Sequence, residues 1–158
     1  MNYGWMESPV GDLLIVADEA AVRMIGFRKG QHPGKVKEGW REGGSLVAEA
    51  GRQLDEYFEG RRRRFDLPLA PSGTPFQLRA WKMLQDIPYG ATRSYGEQAR
   101  AMGQPRAVRA VGAANGRNPI AIIVPCHRVI GGDGGLTGYG GGLDVKRFLL
   151  ELERPQLT

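Results

Sequence analysis

The sequence predicts a mixed α+β protein in two domains, residues 1–72 and 73–158, and three observations carry that reading. Strand-length apolar segments occupy the first 27 residues, helical spacing begins at residue 45, and two capping-box patterns follow residue 73.

The elements follow in order. Asn2–Met6 and Leu13–Ala17 have strand character on either side of the turn sequence Ser8-Pro9-Val10-Gly11, and residues 21–27 supply a third strand. Residues 29–44, rich in glycine and charge, read as a loop. Over Ser45–Phe58 the apolar side chains Leu46, Val47, Ala50, Leu54, Tyr57 and Phe58 recur at helical spacing, and Gly60 ends the helix. Four arginines, residues 61–64, then precede Phe65-Asp66-Leu67-Pro68-Leu69. Such a charge block is usually a solvated turn, here before an edge strand, with a secondary DNA contact as its other use. The stretch Ala70-Pro71-Ser72-Gly73 reads as a domain linker.

Thr74-Pro75-Phe76-Gln77 is a strong helix start: a capping hydroxyl, a proline at the first helical position, and a glutamine that reaches back. This helix runs to about Asp86, burying Phe76, Ala80 and Leu84 with Met83 beside them, and breaks at Ile87-Pro88-Tyr89-Gly90. Ser94 and Glu97 repeat the pattern and open a short helix to about Met102. Gly103 ends it, Pro105 opens the next, and residues 106–115 complete a helix-turn-helix whose second helix bears Arg106 and Arg109. Residues 120–124 form an apolar run of strand length that ends at Pro125-Cys126-His127-Arg128-Val129. Beyond the glycine-rich residues 131–142, a last helix over 144–153 places Val145, Phe148, Leu149 and Leu152 on one core-facing stripe.

The composition, 41% hydrophobic and 25% charged, is that of a globular protein. Leu13–Ala17, the longest apolar run near the start, is too short for a signal-peptide core or a membrane span, and no basic leader precedes it. One cysteine forbids an internal disulfide and agrees with a reducing compartment, so a soluble intracellular protein is expected. Residues 1–72 hold eleven Lys/Arg against eleven Asp/Glu; residues 73–158 hold eleven against six, so the whole net charge of +5 lies there. Nine of those eleven cations are arginine, the side chain suited to phosphate forks and base stacking. A generic basic surface fits the same composition.

Cys126 is the candidate nucleophile. A lone cysteine is commonly a small buried hydrophobe, but this one follows Pro125 and is flanked by His127 and Arg128, neighbours that favour the reactive thiolate. Side chains alternate along extended chain, so Cys126 and His127 can cooperate only if the chain turns there or a water bridges them. The stretch Gly138-Tyr139-Gly140-Gly141-Gly142 serves either as a connector or as a place where backbone amides approach a flat ligand; it matches neither the dinucleotide nor the phosphate-loop fingerprint. His32, His127 and Cys126 have no metal-ligand spacing.

The segment Ile122-Ile123-Val124-Pro125-Cys126-His127-Arg128-Val129-Ile130 closely resembles the active-site signature of the O6-alkylguanine-DNA alkyltransferases, also called methylated-DNA–protein-cysteine methyltransferases. Thr74-Pro75-Phe76-Gln77, Ile87-Pro88-Tyr89-Gly90, Ser94-Tyr95, Arg109-Ala110-Val111-Gly112, Asn118-Pro119 and Gly141-Gly142-Leu143 stand at the family's spacing, so the resemblance is close over residues 73–153 and loose over 1–70. It implies a small ribonuclease H-like α/β domain before a helical domain with a winged helix-turn-helix, and single-turnover transfer of the alkyl group from O6-alkylguanine, and O4-alkylthymine, to Cys126. His127, through a water and oriented by Glu153, would remove the thiol proton, and Tyr95 would donate to a guanine ring nitrogen. Arg109 would fill the space of the flipped nucleotide, and Arg106, Ala110, Tyr95 and Arg128 would also meet DNA. Asn118 would be the hinge tying the helix-turn-helix to the active-site turn. The carbonyls of Cys126 and Val129 would accept from the exocyclic amine, with Tyr139 and Gly140 lining the pocket. Gly140 stands where some relatives have serine, which opens the pocket to larger alkyl groups. The implied partner is duplex DNA bearing alkylated guanine, bound by a monomer that can associate along DNA, in the cytoplasm at the nucleoid; no cofactor, no metal and no membrane are implied.

Three other functions fit parts of the pattern. A non-catalytic reader of alkylated DNA would bind without chemistry, and relatives of that kind lack the cysteine. A helix-turn-helix regulator sensing redox through Cys126 would prefer one DNA sequence. A cysteine hydrolase would need an oxyanion hole and turnover.

Overall fold

The computed structural model describes residues 1–154 and divides into two compact units. The first comprises Met1–Ser72 together with Pro119–Ile123, and the second Gly73–Asn118 with the chain from Val124 onward.

In the first unit, β1 (Asn2–Met6) and β2 (Leu13–Ala17) form an antiparallel hairpin closed by Ser8 and Gly11, and β3 (Val22–Phe27) extends the sheet antiparallel to β2. All five residues of β2 are buried, as expected for a central strand. A two-residue strand inside the expected loop, β4 (Arg41–Glu42), pairs parallel with β1 and gives the order β3-β2-β1-β4. Helix α1 (Ser45–Phe58) lays Val47, Ala50, Leu54 and Tyr57 against the sheet. A Cβ on Gly4 would stand 2.9 Å from a Val47 methyl, so glycine lets this helix sit close to β1.

The expected edge strand over residues 65–69 does not form. Buried Gln53 on α1 takes the backbone of Asp66 instead, donating to its carbonyl at 3.1 Å and accepting from its N–H at 2.9 Å. The segment reaches the sheet only around Leu69, which bridges to Val22 while Pro68 O accepts from Val22 N–H and Ala70 N–H donates to Val22 O. In the arginine run, Arg61 pairs with Glu59 at 2.6 Å and Arg62 with Glu56 at 2.9 Å, so acids in α1 and at its C-cap neutralise its first half.

In the second unit, α2 (Pro75–Leu84) and α3 (Tyr95–Ala101) both open on complete capping boxes, Thr74 with Gln77 and Ser94 with Glu97. Helix α2 buries Ala80, Trp81 and Leu84, while Phe76 and Met83 remain half-buried. Helix α4 (Val108–Gly116) starts two residues later than its proline suggests, which leaves Arg106 in the turn rather than on the helix. The three helices are bolted together by buried polar groups. Gln98 and Asn115 exchange two hydrogen bonds at 3.1 and 2.8 Å, Gln98 also donates to Ala80 O, and Trp81 Nε1 donates to Ala114 O at 2.8 Å. Two-residue strands β5 (Arg93–Ser94) and β6 (Val129–Ile130) pair in parallel, and α5 (Leu143–Glu153) ends the described chain.

Residues 120–124 are not a strand. Ile120 makes one bridge to Ile25, and the chain then folds through tight turns into a 3₁₀ turn, Cys126–Arg128. The stripe expected on α5 is also different: Phe148 is 37% exposed, Val145 and Leu152 are half-buried, and the inward face carries Lys146, Leu149 and Glu153. Two of those three are charged, so the helix faces a polar site rather than plain core.

Candidate active site

Cys126 opens the 3₁₀ turn, so the chain does turn where Cys126 and His127 needed it to. The thiol is buried, 9% exposed. Asn118, at the end of α4's exit, donates through Nδ2 to Val124 O at 2.8 Å and to Cys126 Sγ at 3.2 Å. Burial pushes the Cys126 pKa up; the Asn118 hydrogen bond and the positive charge of Lys146 oppose it, with a smaller contribution from Tyr139. Burial thus works against the thiolate that these neighbours favour, and the balance leans towards the protonated thiol.

The next residue of the turn is a histidine. His127 is fully buried, and burial holds its pKa down against the raising effect of Glu153, so the imidazole is neutral near pH 7. Its Nε2 lies 2.7 Å from Glu153 Oε2. Burial raises the Glu153 pKa, but the hydrogen bonds from His127 and Arg128 outweigh it and leave it at about 2, so Glu153 is an anion. A carboxylate accepts, hence Nε2 carries the proton and Nδ1 keeps its lone pair. Nδ1 is buried and meets no protein donor or acceptor.

Arg128 is not at a DNA-facing surface, which corrects the sequence expectation. It is 7% exposed, forks onto Glu153 with Nε at 2.7 Å and Nη2 at 3.1 Å, donates from Nη1 to Ile87 O at 2.7 Å, and lies over the Tyr89 ring. Every strong contact is internal, so its part is to hold the carboxylate that holds His127.

On the other side of the thiol stand three residues. Tyr139 is buried, and burial with the nearby Cys126 raises its pKa well above 10, so it keeps its proton. Tyr95 begins α3, half-buried, with its ring 3.9 Å from where a Cβ of Gly112 would lie on α4. Lys146, which sequence reasoning missed, is fully buried and donates to Thr137 O at 2.8 Å and to Tyr95 Oη at 3.5 Å. Burial lowers its pKa while Cys126 raises it. The clue was available: Lys146 lies seven residues before Glu153, two helical turns back on the same face. Arg128, Glu153 and neutral His127 sum to no net charge, so Lys146 is the cation left to balance a thiolate.

Val129 has a buried side chain, and its N–H already donates to the Cys126 carbonyl, which keeps one lone pair for a ligand. Gly140 is half-buried, and a Cβ there would meet only Gly116 O, at 3.8 Å. On the helix-turn-helix, Arg106 in the turn and Arg109 and Ala110 on α4 are exposed, and a cavity lined by Gln104, Pro105, Arg106 and Ala107 opens beside the turn. Arg109 and Ala110 thus share the outward face of α4, opposite buried Val111, Ala114 and Asn115. Among the described residues no three His, Cys, Asp or Glu gather as a metal site, and no helix is long and apolar enough to cross a membrane.

Comparison with known proteins agrees over both units. Residues 1–71 match the family described as 6-O-methylguanine DNA methyltransferase, ribonuclease-like domain, and residues 75–155 its DNA binding domain. The chain is 54% identical to a methylated-DNA–protein-cysteine methyltransferase of Methanosarcina acetivorans, across 97% of this chain and 98% of that protein. A protein of the same name from Mycolicibacterium paratuberculosis is 50% identical over 98% of this chain and 93% of its own length. Among solved structures, Mycobacterium tuberculosis OGT in complex with DNA superposes with a TM-score of 0.90 at 47% identity, covering 98% of this chain and 93% of that one. With both domains matched in order and identity above half along nearly the whole length, the chain belongs to the methylated-DNA–protein-cysteine methyltransferase family.

Proposed function

We propose that the protein repairs alkylated duplex DNA by moving the alkyl group from guanine O6, and from thymine O4, to Cys126 in one irreversible turnover. The observation that carries this is a buried thiol beside a neutral histidine whose Nε2 is committed to Glu153 and whose Nδ1 is free to accept.

The thiol proton passes through a water to His127 Nδ1, and the resulting imidazolium is stabilised by Glu153. Sulfur attacks the alkyl carbon in line, an S–C bond forms, the C–O6 bond breaks, and its electron pair returns to the guanine ring. Tyr95 donates a hydrogen bond to the ring, and the Lys146 ammonium, directed at Tyr95 Oη, makes that phenol the better donor. Lys146 also supplies the positive charge that the thiolate needs. The thioether product is not hydrolysed, so each molecule acts once. Because the thiol is buried, the base must leave the duplex, at a cost of about a few kcal/mol that is lower for a poorly paired lesion. Arg109, outward on α4, occupies the vacated space; Asn118 joins α4's end to the active-site turn; Tyr139 and Gly140 line the pocket. The transfer site belongs to the unit that starts at Gly73 and leaves out Pro119–Ile123, and the protein acts as a monomer on DNA in the cytoplasm, at the nucleoid.

Intact mass after mixing with a duplex containing O6-methylguanine tests the proposal. The expected result is one methyl group gained, on the Cys126 peptide, and none in Cys126→Ala, which still binds the duplex. Tight binding without any mass gain would establish a non-catalytic reader instead.

A further inference from the structure

Just before Cys126 the chain makes a turn from a residue poorly suited to it. Ile122 has φ 72 and is the one non-glycine residue with positive φ among the described residues. Ile123 N–H donates to Ala121 O at 2.8 Å, closing a three-residue γ-turn with Ile122 at its centre. A β-branched side chain is crowded there by its own backbone. Glycine takes such angles freely, and the chain uses it so at Gly11, Gly60, Gly90 and Gly103. What isoleucine adds is restriction. Glycine could leave the turn, whereas Ile122, 1% exposed, is held there by the burial of its side chain.

The turn is pinned on both sides. Before it, Ile25 of β3 donates to Pro119 O and accepts from Ala121 N–H, both at 3.0 Å. After it, Val124 O accepts from Asn118 Nδ2 at 2.8 Å and from Cys126 N–H at 2.9 Å, the second closing an inverse γ-turn about Pro125, with φ −84 and ψ 65. The same Asn118 nitrogen reaches Cys126 Sγ. Strained backbone persists only where its surroundings over-determine it, and such places gather where geometry matters for chemistry.

We infer that Ile122 is a positioning residue for the nucleophile: its left-handed γ-turn, held by the Ile25 backbone before it and the Asn118 amide after it, fixes Cys126 Sγ in line for the transferred carbon. The inference rests on Cys126 being the alkyl acceptor. In-line displacement tolerates little error, since a misplacement of about 1 Å can cost about 100-fold in rate.

Single-turnover methyl transfer from a duplex carrying one O6-methylguanine, followed as a function of DNA concentration, tests it with wild type, Ile122→Gly and Ile122→Val. Ile122→Gly is expected to fold, to keep its half-saturating DNA concentration because α4 is untouched, and to lose about tenfold or more in the saturating rate. Ile122→Val, still β-branched, is expected to stay within about twofold of wild type. Should the glycine variant fail to fold, Ile122→Ala is measured the same way and is expected to fall in the same direction. A folded glycine or alanine variant with the full saturating rate overturns the inference. So does an equal loss in the valine variant, which would reduce Ile122 to core packing. A wild type that transfers no methyl overturns the acceptor reading itself, and is seen separately in the control.

Discussion

Glu153 serves two masters within hydrogen-bonding distance, the imidazole of His127 and the guanidinium of Arg128. Sequence alone marked Cys126, His127 and Glu153 through the family resemblance that the Pro-Cys-His-Arg signature carries. It misjudged Arg128 and passed over Lys146, since a cation's burial is decided by partners far along the chain: Ile87 and Glu153 for the arginine, Thr137 and Tyr95 for the lysine. Removing Arg128 leaves a buried carboxylate half-partnered. Arg128→Ala is therefore expected to lose about 3–5 kcal/mol of stability, read as a lower denaturant midpoint. A midpoint unchanged from wild type would contradict this internal role and return Arg128 to the surface.

The elements most legible in sequence were those that local rules decide. Both capping boxes form as their residues demand, because each needs only four consecutive positions. Residues 120–124 misled because an apolar run specifies burial and not hydrogen-bond partners, and here the partners lie on β3 and within tight turns. The last helix misled for a related reason: its apolar residues are spaced for a core stripe, yet the stripe that turns inward carries Lys146 and Glu153. Helix α4 keeps its two faces distinct, with Val111, Ala114 and Asn115 inside and Arg109 outside. If Arg109 fills the gap left by an extruded base, Arg109→Ala should slow transfer from duplex DNA by about tenfold, about 1.4 kcal/mol, while reaction with free O6-methylguanine base changes little. Equal losses on both substrates would remove the wedge role.

At the scale of the whole molecule, the buried ionisable groups make stability depend on pH in a definite direction. His127 has a folded pKa below its usual 6.5, so the unfolded chain takes up the proton first and stability declines as pH falls through 6.5. Glu153, at about 2 against its ordinary 4.5, adds a further loss as pH drops from 4.5 towards 2. Cys126 acts at the other end: its raised pKa means that the unfolded chain ionises first, so stability declines as pH rises past 9.0. Lys146, its pKa lowered by burial, acts in the opposite sense at that end, so the deciding thermal melts run from pH 4 to 8 and should be level above about 6.5 and fall below it. A midpoint that is flat from pH 4 to 7 would mean that His127 and Glu153 are not protonated as described. The charge distribution read from the sequence survives in the structure with one adjustment, since two of the eleven cations after residue 72, Arg128 and Lys146, are turned inward and do not face DNA.

Because Pro119–Ile123 is stitched onto β3 although it follows α4 in the chain, a cut at the interdomain linker does not yield two self-sufficient pieces. The longer fragment would carry Ile120, Ala121, Ile122 and Ile123 as an orphaned greasy lace, and the shorter one would bare the backbone of Ile25 along a sheet margin.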